Sequence, residues 1–266
     1  MTQLKAYVEG IGLLGPGLTD WSAASAVFKG DEPFESRPTV LPTPDSLPPA
    51  ERRRTGRIVK LALAVGLEAT ARAAVHPSHL PTVFSSSGGD GQNCHEICQT
   101  LASGERLLSP TRFHNSVHNV AAGYWGIANG ARAPSNSLCA YDASFAAGLL
   151  EALTQVVVDQ SPNLLIAYDS EYPEPLFSKR PISDAFGVAL LLSPERRSSS
   201  LAQLHASFTD SPSDRMEGAA LEALRTSIPA ARALPLLQAL ARRERKTVVV
   251  DYLDSLQMAV EVNPCS

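Results

Sequence analysis

Along the first 170 residues, apolar runs of strand length alternate with segments of helical period, and this alternation constrains the fold more than any single residue does. YVEGIGLL (7–14) reads as a buried strand closed by the GPG turn at 15–17. The stretch 20–28 reads as a helix with Thr19 as its N-cap. Prolines at 33, 38, 42, 44, 48 and 49 then mark a long extended loop. The pattern over 50–74 predicts one long helix, opened by the basic segment ERRRTGR against the sense of the helix dipole. A short strand (81–87), a GGDG turn and a helix (92–102) follow, and then the small-residue helix VAAGYWGIANG, a strand (135–140) and a helix (143–158). A further strand starts at Leu164, and AFGVALLLS (185–193) and SSLAQLHASF (199–208) read as an antiparallel pair. The tail predicts two helices, 215–226 and 231–243, and a hairpin from TVVVDYL to SLQMAVEV. The expected class is α/β, a mixed sheet with helices on both faces.

Composition narrows the partners. The 266 residues are 44% hydrophobic and 19% charged, enough apolar material for a self-sufficient core. A net charge of -4 provides no global basic field for nucleic acid or an anionic membrane. No run approaches the roughly 18 apolar residues of a membrane span, and MTQLKAYVEG lacks a signal-peptide core, so a cytoplasmic chain is expected. Four cysteines, at 94, 98, 139 and 265, are too unevenly spread for a disulfide framework and are expected to be free thiols.

Two constellations carry possible chemistry. Cys94, Cys98, His114 and His118 give C-x3-C-x15-H-x3-H, two thiols and two imidazoles of the kind zinc takes. The cysteines, however, fall one turn apart on a predicted helix, whereas a finger takes them from a hairpin. The simpler reading is buried small thiols with loop histidines bonded to backbone, and no metal is implied. The second is SNSLCAYDASFAAGLLEAL, a strand running through a tight turn into an Ala/Gly-rich helix, the place where α/β enzymes present a nucleophile. There Asp142 or Ser144 reads as a cap that satisfies free N–H groups of the helix, which makes Asp142 a poor general base. Cys139 is expected to be buried in the strand and unreactive. No G-x-S-x-G occurs, GGDG lacks the Lys-Ser/Thr of a phosphate loop, and no nucleotide or other cofactor is implied.

In order along the chain, YVEGIGLLGPGLTDW, PAERRR, FSSSGGDGQNCHEIC, SPTRFHNSVHNVAAGYWGIANG, PSNSLCAYDASFAAGLLEAL, LLIAYDSEYPEPL and DAFGVALLL resemble the N-terminal half of β-ketoacyl synthases of the thiolase-like superfamily. The likeness is specifically to the short ketoacyl-synthase-like proteins of bacterial aryl-polyene (xanthomonadin-type) pigment clusters. It covers residues 1 to about 193 and implies a mostly parallel five-stranded half-fold, with 194–266 as a helical and hairpin extension packed on the same domain. The resemblance also implies an acyl-accepting Cys at the helix-opening turn, where this chain is expected to place Asp142, and two His from a second half-domain for which 266 residues leave no room. None of His76, His79, His95, His114, His118 or His205 lies in a C-terminal motif that could supply the pair. The expected role is therefore non-condensing, exerted like that of a chain-length factor through a ketosynthase or acyl carrier protein partner, in a homodimer or heterodimer. Arg52, Arg53 and Arg54 are the candidate partner contacts. The rival reading is an acyl-thioester or ester hydrolase or acyltransferase using Asp142, Ser144 and a loop His, either His114 or His118.

Overall fold

The computed structural model describes residues 4–104 and 106–266. In chain order the elements are β1 (Leu4–Leu14), α1 (Trp21–Lys29), α2 (Pro49–Arg52), α3 (Arg57–Arg72), β2 (Thr82–Ser85), α4 (Gly91–Ala102), α5 (Pro110–His114), α6 (Val120–Asn129), β3 (Ser135–Leu138), α7 (Ser144–Asp159), β4 (Asn163–Asp169), β5 (Phe186–Ser193), β6 (Ala202–Thr209), α8 (Ala219–Ser227), α9 (Leu234–Arg242), β7 (Lys246–Leu253) and β8 (Leu256–Pro264). Short 3-10 turns at Tyr141–Ala143 and Pro229–Ala233 lead into α7 and α9.

The strands form one sheet of eight in the order β3-β2-β4-β5-β1-β6-β8-β7. The class is α/β with helices on both faces, as expected, but the sheet is larger than five strands and is mostly antiparallel. Only the β2 pairings with β3 and β4 are parallel, since helical crossovers connect these strands, whereas β4 returns to β5 through a loop with no helix. The C-terminal hairpin β7–β8 is not a separate appendage, because β8 pairs with β6 along its length and continues the sheet.

NLLIAYD and FGVALLLS are buried at every residue, as central strands covered on both faces must be. The two cores lie on opposite faces. One is built on α1, α7, α8 and α9, with Leu165 and Leu190 from the sheet, and the other on α3 and α6, with Ile166 and Leu191. Beyond β1 only the first face is covered. There β6 alternates, with Leu204 and Ala206 buried and Gln203 and His205 on the open side.

Three local expectations are corrected. The segments 185–193 and 199–208 do not pair with each other, because β1 lies between β5 and β6 and pairs with both. The predicted helix 50–74 is two, broken where the backbone turns extended at Gly56; a Cβ there would stand 2.6 Å from Asp90 Oδ2. The N-cap of α1 is Asp20 rather than Thr19, its carboxylate accepting from Ala23 N at 2.9 Å.

Candidate functional site

The strand-to-helix turn expected near Asp142 exists, but its apex is one residue earlier. β3 stops at Leu138, and Tyr141 takes the left-handed conformation (φ 52°) that L side chains rarely adopt. Its ring is 63% exposed, with the Arg180 guanidinium 3.7 Å above the centroid. The Ser144 hydroxyl closes the turn, donating to Tyr141 O at 2.7 Å and accepting from Ala140 N at 3.1 Å. Asp142 does not cap the helix. Its Oδ1 accepts from Arg180 at 2.6 Å and its Oδ2 from Arg232 at 3.0 Å. Arg232 also faces Asp251 at 3.9 Å, and Asp251 pairs with the buried Arg225, itself held by Glu222 at 2.8 Å. An ion-pair chain thus runs from the turn into the C-terminal segment, and its hydrogen bonds from Arg225 hold the Glu222 carboxyl down to about 2.

Beneath the turn lies Asp169, at the end of β4 and 3% exposed. Its Oδ1 accepts from Ser87 N (2.8 Å), Ser87 Oγ (2.7 Å) and Ser86 Oγ (3.3 Å), and its Oδ2 from Ala230 N (2.9 Å). Burial pushes its carboxyl up to about 6, against the hydrogen bonds from Ser87 and Ala230 and the nearby charge of Arg180. One buried side chain therefore ties the loop after β2 to the turn before α9.

Cys139 is not buried in the strand. It lies just past the end of β3, exposed, and donates its thiol hydrogen to Ser87 O at 3.2 Å. His118 donates Nε2–H to Leu138 O at 3.0 Å, a contact that fixes its tautomer, since a carbonyl can only accept. His114 is exposed at the end of α5, with its ring edge-on to Tyr124. Among the described residues no histidine hydrogen-bonds Asp142 or Ser144. The polar atoms of Asp142 and Ser144 are engaged in holding the turn, a recess of about 200 Å³ lined by Tyr141, Asp142, Lys179 and Arg180 opens beside it, and the nucleophile-base-orienter geometry of an acyl hydrolase is not assembled there. Nor do Cys94, Cys98, His114 and His118 converge, because among the described residues no three His, Cys, Asp or Glu side chains are grouped to hold a metal. Cys94 and Cys98 are exposed, not buried, because α4 covers only Gly91 and Asn93.

The arginine cluster divides. Arg52 ties down the proline-rich loop, pairing with Asp45 at 2.9 Å and donating to Leu47 O at 3.1 Å. Arg53 and Arg54 are exposed on the rim of a cleft of about 540 Å³, which Arg57, Lys60, Asp90 and Glu171 also line. Cations outnumber carboxylates along this lining, so the cleft is basic.

A family model described as "Beta-ketoacyl synthase, N-terminal domain" matches residues 20–252, running past residue 193. Comparison with curated proteins finds no match. Among solved structures, the chain is similar to one described as a ketosynthase (ApeO) in complex with its chain length factor (ApeC) from Xenorhabdus doucetiae. The identity is 26%, with 97% of this chain and 99% of that one covered and a TM-score of 0.73. The ishigamide ketosynthase/chain length factor is 14% identical, covering 98% and 100%, with a TM-score of 0.73. A complex of a type II polyketide acyl-carrier protein with its ketosynthase, AntDE:AntF, is 10% identical over the whole of both chains, with a TM-score of 0.75. At these identities the last two structures show a shared fold.

Proposed function

The chain belongs to the β-ketoacyl synthase N-terminal domain family, and from that premise we propose that it is a non-condensing member, acting through a ketosynthase or acyl carrier protein partner as a chain-length factor does. The observation that carries the reading is the turn before α7. Tyr141 occupies its apex, and a phenol cannot replace the acyl-accepting thiolate of a condensing enzyme. Cys139 lies two residues before the apex, and the polar atoms of Asp142 and Ser144 are engaged in holding the turn. The likeness to a ketosynthase and chain length factor complex supports the same role.

The free edge of β3, with Ser135 and Asn136 exposed, supports pairing with a second subunit of the same fold, as a homodimer or a heterodimer. Arg53 and Arg54 are the contacts we assign to an acidic carrier protein, while Arg52 serves the loop. We read 1–193 as the ketoacyl-synthase-like part and 194–266 as an extension packed on it, in a cytoplasmic protein of aryl-polyene-type pigment synthesis. Among the described residues no helix is long and apolar enough to cross a membrane.

The test is co-purification of the tagged protein with the ketosynthase and acyl carrier protein of its pathway, together with an acyl-thioester hydrolysis assay. A stable complex and hydrolysis at the background rate are expected, with Ser144→Ala no different from wild type. Hydrolysis that disappears in Asp142→Ala and Ser144→Ala, from a protein that captures neither partner, would establish the hydrolase instead.

A further inference from the structure

Helix α4 carries two thiols for which the role proposed above has no use. Cys94 and Cys98 stand four residues apart, one turn along the same face, and both are exposed.

The number of donors decides what such a pair can hold. Glu96, on the same helix, is engaged by Arg112 and by Gln92 Nε2 at 2.8 Å. His118 is bonded to Leu138 O, and His114 lies against Tyr124. Among the described residues no third donor joins the two thiols, and two thiols alone cannot close the four-coordinate shell of structural zinc. They suit a soft ion satisfied by two thiolates, of which Cu(I) is the biological example.

Spacing favours a metal bridge over a disulfide. Side chains one helical turn apart have Cβ atoms about 5–6 Å from each other. A disulfide draws its Cβ atoms to about 3.5–4.5 Å, so oxidising the pair would deform α4. A metal ion joining the two sulfurs holds them further apart than a direct S–S bond does, so the pair can bind it with the helix intact.

We propose that Cys94 and Cys98 form a two-coordinate thiolate site for a soft monovalent cation, with Cu(I) the ion it fits. On binding, each thiol releases its proton to solvent and two sulfur–copper bonds form. No electron changes hands, and the bridged pair carries one net negative charge.

The reduced full-length protein is titrated anaerobically with Cu(I), supplied as its acetonitrile complex, in competition with a chromophoric Cu(I) chelator, and the product is weighed by native mass spectrometry. One Cu(I) per chain is expected, with two protons lost and the far-ultraviolet circular dichroism unchanged. Cys94→Ser and Cys98→Ser should each weaken binding about tenfold or more, because a single thiolate remains. Cys139→Ser, which removes the other exposed thiol, should leave affinity unchanged, and Zn(II) alone should wash out on desalting. Absence of bound Cu(I), full affinity in Cys98→Ser, or loss of affinity in Cys139→Ser overturns the assignment.

Discussion

Between about pH 4 and pH 6 the protein is expected to lose on the order of 3 kcal/mol of unfolding free energy through one residue, Asp169, since its carboxyl moves about two pH units at about 1.4 kcal/mol each. Its folded value, about 6, lies above the ordinary 3.8 because the group is buried at the end of β4. The folded protein therefore holds a proton that the unfolded chain releases. The stabilisation is fully present below the ordinary carboxylate value and is lost as pH rises through about 6. Glu222 acts with the opposite sign. Arg225 holds it down to about 2, so its contribution is present above the ordinary value of 4.5 and is lost as pH falls toward 2.

Urea unfolding followed from pH 3 to pH 8 should accordingly give a stability maximum on the acid side of neutrality. Asp169→Asn, which cannot titrate, should flatten the limb between about pH 4 and pH 6 and leave the Glu222 limb in place. Parallel curves for the two proteins across that limb would refute the assignment. Asp169→Ala tests the hydrogen bonds separately. It strands the amides of Ser87 and Ala230 in the interior, at about 1–3 kcal/mol for each unsatisfied group, at every pH.

The order of strands and helices was legible because each carries its own periodicity, and most boundaries moved by only a few residues. Strand partners were not legible. The segments of β5 and β6 are sequence neighbours with patterns that would suit a hairpin, yet the eleven-residue β1, buried from Val8 onward, takes both of them as neighbours. The turn before α7 was visible from its small-residue helix, but its apex was not. Asp142 reads as a helix cap in the sequence, whereas the fold imposes the left-handed conformation on Tyr141 and gives the closing bonds of the turn to Ser144. The Asp142 partners, Arg180 and Arg232, lie 38 and 90 residues away, beyond any local pattern. Asp169 did leave a trace, as the first charge after the apolar run LLIAY, the position where a strand end meets a buried polar layer.

Gly12→Ala is expected to destabilise the protein by about 3 kcal/mol or more, at the upper end of overpacking costs. A Cβ at Gly12 would stand 2.0 Å from the carbonyl oxygen of Val65, and one at Gly10 would stand 2.1 Å from that of Ala69. Both obstacles are backbone in the middle of α3, not the ends of flexible side chains. The helix has little freedom to retreat. Its Val59, Leu61 and Val65 fill the second core, and a Cβ at Gly66 would already meet the Trp125 ring at 2.6 Å and Ile166 at 2.7 Å. At about 2–4 °C per kcal/mol for a chain of this class, the melting temperature should fall by about 10 °C. Gly123→Ala is the control. That glycine lies in α6 with no neighbour within 4 Å of an added Cβ, so alanine should be neutral or up to about 1 kcal/mol stabilising. The same contact bears on the proposed role, because α3 begins at Gly56 and Arg57, against the cleft that Arg53 and Arg54 rim. If Gly12→Ala leaves a folded fraction, that fraction should bind an acidic carrier protein more weakly than wild type, whereas Gly123→Ala should bind it equally well. A Gly12→Ala protein with unchanged melting temperature would mean that β1 and α3 do not approach this closely.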